Sequence, residues 1–233
     1  MKSLVIIPTY NEAENIRKLI QEIFNYLPQT DILIIDDNSP DGTGKIADAL
    51  SAADLRIRVI HRPKKMGMGN AYNRGFRYAI EKGYDVVFEM DADFSHKPED
   101  LPRLLEGLQD NGLVIGSRYI DGGGTVNWGL LRRFVSKGGN LYSRFMLGLN
   151  VTDMTAGFRC YNVSALKKIN LDRVRSNGYG FQVEMSYRIK EAGFNIKEIP
   201  IIFEDRRAGQ SKMSNGIVIE AFIRVLMIRL KLI

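Results

Sequence analysis

Leu4-Val5-Ile6-Ile7, Asp31 to Ile35, Ile57 to Ile60 and Val86 to Met90 are short apolar runs, separated by longer stretches with helical spacing or turn chemistry. Runs this short and this continuous suit strands covered on both faces. The first stretch between them puts Ile16, Leu19, Ile20, Ile23 and Leu27 on one helical face. Asn11 is placed to cap that helix, with Glu14 three residues on as its capping-box partner. Pro40-Asp41-Gly42-Thr43 leads into a second helix through Ala53, and the glycine-rich Met66 to Gly75 opens a third that ends near Lys82-Gly83. Strand and helix alternating over short connections specify an α/β fold, a mostly parallel sheet with helices on both faces.

Such sheets bind ligands at the C-terminal ends of their strands. Polar clusters stand at three of these ends: Pro8 to Glu12, Asp36-Asp37 and Asp91-Ala92-Asp93. The last carries the most chemistry. Two carboxylates separated by one small residue suit a hard divalent cation, Mg²⁺ or Mn²⁺, that also holds a diphosphate. Asp93 could instead cap the helix that Pro98-Glu99-Asp100 begins. A dinucleotide site would need G-x-G-x-x-G directly after the first strand, and Pro8 to Glu12 contains no glycine there. Gly67 and Gly69 come too late for that motif and read as a loop needing positive φ.

The 233 residues suffice for one large domain or two small ones. A formal charge of +6 fits phosphorylated substrates or an anionic membrane. No basic run is interleaved with aromatics, so no nucleic-acid partner is expected. Cys160 is the single cysteine, expected as a buried core residue, and no intrachain disulfide is possible. Neither a signal-peptide pattern at the N-terminus nor an apolar run long enough to span a bilayer is expected.

Taken together, Pro8-Thr9-Tyr10-Asn11-Glu12, Asp36 to Thr43, Gly67-x-Gly69-x-Ala71 and Asp91-Ala92-Asp93 resemble the family 2 glycosyltransferases, which have the Rossmann-like GT-A fold. Gly116 to Tyr119, Trp128, Arg132, Ser136 with Asn140, Asp153 to Arg159, Gly178 to Met185 and Asp205 to Lys212 are similar to the branch that makes dolichyl-phosphate or polyprenyl-phosphate mannose. The resemblance implies inverting transfer of mannose from GDP-mannose to a dolichyl or polyprenyl monophosphate. It implies a metal on Asp93 and Asp91, with Asp91 also near sugar or ribose. Pro8, Tyr10, Glu12, Asp36, Asp37, Ala92, Glu184 and Lys212 would contact the donor. Arg118, Arg132 and Arg206, with Ser136, would grip the acceptor phosphate. In some relatives a Gln stands where this chain has Ser95.

A phosphate nucleophile is already ionised, so no general base is required, and His61 and His96 are expected to be structural. Leu171 to Tyr179 reads as a loop able to close over substrate. Ile196 to Phe203 reads as the last strand, with Pro200 marking an edge. Residues 1–212 are expected to form the catalytic domain. Residues 213–233, with Glu220, Arg224 and Lys231 on one stripe, are expected to form an amphipathic helix in the membrane interface. That implies a peripheral protein on the cytoplasmic face, with a membrane-anchoring subunit as a further possible partner. The rival readings are the same reaction with UDP-glucose, transfer to a polysaccharide hydroxyl, nucleotidyl transfer, and a non-catalytic sugar-nucleotide or membrane-binding module.

Overall fold

The computed structural model of the chain describes residues 1–174, 176–204 and 215–230, with the backbone alone for 215–221. In chain order the elements are β1 (Ser3–Thr9), α1 (Ile16–Tyr26), β2 (Asp31–Asp36), α2 (Thr43–Ala53), β3 (Ile57–His61), α3 (Met68–Glu81) and β4 (Val86–Glu89). After a single 3-10 turn come α4 (Leu101–Leu108), β5 (Leu113–Ser117), β6 (Gly124–Val126), α5 (Leu130–Leu147), β7 (Arg159–Asn162) and α6 (Val163–Lys168). Then follow α7 (Gly178–Glu191), β8 (Ile196–Pro200), β9 (Ile202–Glu204) and α8 (Asn215–Arg229).

The main sheet has seven strands in the order β3-β2-β1-β4-β7-β5-β8, and β6 pairs with β9 apart from it. Its neighbours are parallel except at β7, which runs antiparallel to both β4 and β5. The alternation of strand side chains divides the core in two. Leu4, Ile6, Leu33, Ile35 and Val87 face Tyr72 and Phe76 of α3 and Phe181 of α7. Val5, Ile7, Ile32, Ile34 and Phe88 face Leu19 and Ile23 of α1 and Leu101 and Leu104 of α4. Cys160 is buried in the second layer, as expected.

Three local features shape the fold. Asn11 does not cap α1, which begins at Ile16; Asn11 takes a left-handed backbone with φ 63°. The backbone N–H groups that helix formation would have used go instead to the loop after β2. Asn11 N–H donates to Ser39 Oγ at 3.1 Å, Glu12 N–H to Thr43 Oγ1 at 2.8 Å and Ala13 N–H to Asp41 Oδ2 at 3.0 Å. Second, Asp153 and Arg159 are wholly buried, and Arg159 opens β7. Third, the last strand breaks at Ile201. β8 is the sheet edge that Pro200 foretold, while β9 turns away to pair with β6.

The helix expected at 213–233 packs against α5 and α7, with Val225 and Ile228 buried. Its expected boundary at 212/213 and Lys231 lie outside the described residues, as does the side chain of Glu220. The segment expected as a closing loop is anchored at several points: Leu171 and Val174 are buried, and Ser176 N–H donates to Glu184 Oε2 at 3.1 Å.

Helix α3 lies on β1 at backbone distance. A Cβ on Gly75 would stand 2.5 Å from Ile6 Cδ1 and 2.8 Å from Ile6 Cγ2. Gly75→Ala should therefore lower the thermal midpoint, although alanine is the better helix former by about 1 kcal/mol, because overpacking costs about 1–3 kcal/mol. Adding Ile6→Val removes the nearest methyl and should recover part of the loss. A midpoint raised by Gly75→Ala alone would refute the close approach.

Candidate active site

Strands β2, β1 and β4 are neighbours and end together, which brings Asp36, Thr9 and the 91–93 turn to one sheet edge. Beyond β4 the chain turns sharply: Phe94, a bulky residue, has φ 61°, a strained conformation of the kind that concentrates at functional sites. The turn is tied from inside. Ser95 donates to Asp93 Oδ1 from its N–H at 3.1 Å and its hydroxyl at 2.5 Å. Tyr72 Oη donates to Asp91 Oδ1 at 3.2 Å, and Asp91 N–H donates to His96 Nδ1 at 3.1 Å. His96 is buried, stacked on Phe158 with ring centroids 4.9 Å apart, so it serves the turn. His61 pairs with Asp48 at 2.8 Å, and its Nδ1 lies 4.0 Å from Asp36 Oδ2.

Beneath Asp91 lies a polar layer in which Glu89, Arg159, Tyr161, Gln182 and Tyr72 are all buried. Gln182 Nε2 donates to Glu89 Oε2 at 2.7 Å. Burial pushes the Glu89 carboxyl up to about 8, against the pull of Arg159 and the Gln182 hydrogen bond, with Asp91 adding to the rise. Burial also pushes the Tyr72 hydroxyl well up, helped by Asp91. Glu89 escaped the sequence reading. Its signal was an acidic residue at the end of an otherwise apolar strand, in phase with Asp91.

Among the residues expected to contact the donor, Tyr10 is exposed, with Lys65 Nζ 4.2 Å above its ring. Pro8 and Glu12 flank it, and Glu12 Oε2 accepts from Asn15 Nδ2 at 2.9 Å. Asp36 is taken up by its own loop, accepting from Thr9 Oγ1 at 3.0 Å and Ser39 Oγ at 2.6 Å. Asp37 is held in a two-pronged pair by the buried Arg62, at 2.5 and 2.7 Å. A base at this edge would meet Asp37 and Arg62 as a unit, and Arg62 was not foreseen. Ala92 is buried between the two acids.

The expected acceptor residues gather at the end of β5 and the start of α5. Arg118 is 6 % exposed and grips Asp153 through Nε at 2.7 Å and Nη2 at 2.6 Å; Nη2 also reaches Thr155 Oγ1 at 2.9 Å. Burial works against its charge, and Asp153 more than restores it. Arg132 lies 4.1 Å over the Trp128 ring, and Tyr119 Oη donates to Ser136 Oγ at 2.7 Å. Arg206 and Lys212 lie outside the described residues. Glu184 does not join the cleft. It is wholly buried, accepting from Ser176 N–H and from Arg188 Nε at 2.8 Å, because it projects from the opposite side of α7 to Gln182.

Beside Ser136 an apolar cavity of about 70 Å³ opens between α5, α7 and α8, lined by Trp128, Val135, Gly139, Tyr142, Val183 and Val225 among others. Next to it α5 turns apolar side chains outward. Leu130, Phe134, Leu141 and Phe145 share one face and are exposed, and Phe222, Ile223, Leu226 and Leu230 of α8 are exposed as well. Among the described residues no helix is long and apolar enough to cross a membrane, and no group of three or more His, Cys, Asp or Glu could hold a metal ion.

Residues 4–170 match the model of the family described as glycosyl transferase family 2. The chain is 52 % identical over 225 residues to undecaprenyl-phosphate mannosyltransferase of Micrococcus luteus, covering 97 % of this chain and 93 % of that one. It is 47 % identical over 226 residues to polyprenol monophosphomannose synthase of Mycolicibacterium smegmatis, covering 96 % and 85 %. Its fold is that of glucosyl-3-phosphoglycerate synthase from Mycobacterium tuberculosis, solved with Mn²⁺ and UDP-glucose, at a TM-score of 0.70 and 20 % identity over 98 % of this chain and 78 % of that one. A family model spanning most of the chain, two relatives matched nearly end to end, and paired carboxylates at the end of β4 agree: the chain belongs to glycosyl transferase family 2.

Proposed function

We propose that the protein transfers mannose from GDP-mannose to the phosphate of a polyprenyl or dolichyl monophosphate, at the cytoplasmic face of a membrane. The observation that carries this reading is the meeting of opposites at α5. Arg118, Arg132 and Ser136 stand beside an apolar cavity and an outward apolar helix face. That combination suits an acceptor with a phosphate at one end and a hydrocarbon chain at the other. Both close relatives are named for the same class of reaction.

Asp91 and Asp93 fit a hard divalent cation, Mg²⁺ or Mn²⁺. They offer oxygen ligands only, the donor type such ions prefer. When bound, the ion would offset negative charge on the departing diphosphate. Tyr72 and Ser95 hold the two carboxylates in place. The nucleophile is an acceptor phosphate oxygen, ionised at neutral pH. Arg118 and Arg132 would steady it by charge-assisted hydrogen bonds. One displacement at the anomeric carbon inverts it, so an α-linked donor yields a β-linked lipid phosphate. Transfer to a polysaccharide hydroxyl would want a carboxylate base around Gln182 to Glu184. Glu184 is committed to Arg188 and Ser176, which disfavours that reading.

The exposed faces of α5 and α8 would lie on the bilayer, with Lys137, Arg144 and Arg229 near head groups. The interfacial role expected of the C-terminal helix is thereby shared with α5.

The decisive assay supplies labelled GDP-mannose or UDP-glucose with a polyprenyl phosphate and counts label in the organic phase. Label from GDP-mannose alone, lost with EDTA, supports the reading, and label from UDP-glucose replaces the donor. Asp93→Ala should cut kcat/KM about 10²–10³-fold, roughly the loss of one strong electrostatic contact to the reacting charge, with an unchanged circular dichroism spectrum; near-normal turnover would remove Asp93 from the site. Phe134→Glu with Phe145→Glu should reduce co-sedimentation with anionic vesicles at least about tenfold, since each buried Phe contributes about 1.5–3 kcal/mol. Activity on a short soluble prenyl phosphate should survive. Undiminished sedimentation would mean that α5 does not face lipid.

A further inference from the structure

Trp128 is the single tryptophan of the chain. It is 7 % exposed, and among the described residues its buried indole N–H has no hydrogen-bond acceptor. Indole nitrogen only donates. A buried donor left unpaired is costly, and native structures seldom leave one without a use. What is missing at this position is therefore an acceptor atom.

The surroundings define which acceptor. The Arg132 guanidinium carbon lies 4.1 Å from the ring centroid and that of Arg118 5.2 Å from it. Phe203 packs edge-on at 5.4 Å and closes the apolar flank. Ser136, its hydroxyl held by Tyr119, lines the same cavity as Trp128. Two residues after Trp128, α5 begins without a side-chain cap, which adds partial positive charge at that end. An unused donor on a ring that two guanidinium groups approach, lining an apolar cavity, matches a phosphate oxygen on an apolar chain.

We propose that Trp128 binds the acceptor directly: its indole N–H donates to an oxygen of the lipid phosphate, and its ring face holds Arg132 and Arg118 in register for the same group. This inference rests on the polyprenyl-phosphate reading above. It assigns Trp128 a role in acceptor specificity that neither the arginines nor the cavity fill. The bridge between charge and hydrocarbon is one side chain.

Because Trp128 is the single tryptophan, intrinsic emission of the wild-type protein reports on it without any turnover. Farnesyl phosphate should change the emission saturably, farnesol and inorganic phosphate each much less. Trp128→Phe keeps an aromatic face and removes the donor. It should raise the KM for the lipid phosphate about tenfold, which corresponds to about 1.4 kcal/mol. The donor KM should stay unchanged. An unchanged acceptor KM in Trp128→Phe, or emission responding equally to farnesol and farnesyl phosphate, overturns the proposal. Should the variant fail to fold, the emission titration of the wild type decides alone. If the wild type transfers sugar to polyprenyl phosphate while these signatures are absent, Trp128 is wrong and the function stands. If it transfers none and its emission ignores every probe, both fall.

Discussion

The guanidinium of Arg159 is completely buried, and the arrangement of the site depends on how that charge is satisfied. An isolated buried cation costs several kcal/mol, so each of its donors must find an acceptor. Nε donates to Ala156 O at 2.7 Å, Nη2 to Met154 O at 2.7 Å, and Nη1 to Gln182 O at 2.9 Å and Ser186 Oγ at 3.0 Å. Those partners belong to the 153–158 segment and to α7, while Arg159 itself sits in β7, opposite Glu89 of β4. One side chain thus ties the 153–158 segment and α7 to β7, against the strand that leads to Asp91. The segment it holds positions Asp153 for Arg118, and the helix it holds positions Gln182 for Glu89. The two halves of the site are joined through this buried cation.

That joining matters because, on the proposed reaction, two phosphorylated groups must approach each other. Unscreened like charges at contact distance repel strongly, and more so in a partly dry cleft. The chain separates its compensating charges accordingly. Carboxylates suited to a cation cluster at the end of β4, on the donor side. Arginines cluster at β5 and α5, on the acceptor side. Asp153 keeps Arg118 in a single orientation through Nε and Nη2, bonds that do not involve Nη1. A fixed guanidinium loses less freedom on meeting phosphate than a flexible one would.

The first half of the fold was legible because its elements are local and periodic: β1, β2, β3 and β4 are apolar runs, and α1 shows one apolar face. The second half was less so for reasons particular to its residues. β7 is four residues long, opens on an arginine, and derives its strand identity from pairing with β4 and β5. α5 has an apolar stripe that faces outward, and periodicity alone does not tell an outward stripe from a core-facing one. In the site, Asp91 and Asp93 stood out as a doubled carboxylate. Glu184 was misjudged because spacing along a helix does not reveal which side of it packs on the domain. Asn11 misled in the same way: its capping pattern is sound locally, but Ser39, Thr43 and Asp41 compete for the same N–H groups and win.

The fate of the remaining carboxylates bears on the choice of nucleophile. An enzyme that activates a hydroxyl needs a base whose proton affinity is poised and whose oxygen reaches the cleft. Glu89 has a raised affinity for its proton but is sealed beneath Asp91 and hydrogen-bonded to Gln182. Glu184 and Asp153 are each bound to an arginine and wholly buried. Asp36 and Asp37 are committed to loop hydroxyls and to Arg62. Each of these acids builds the site, and none is placed to take a proton from a substrate. A phosphate acceptor, which arrives ionised, is the nucleophile that such an arrangement can use.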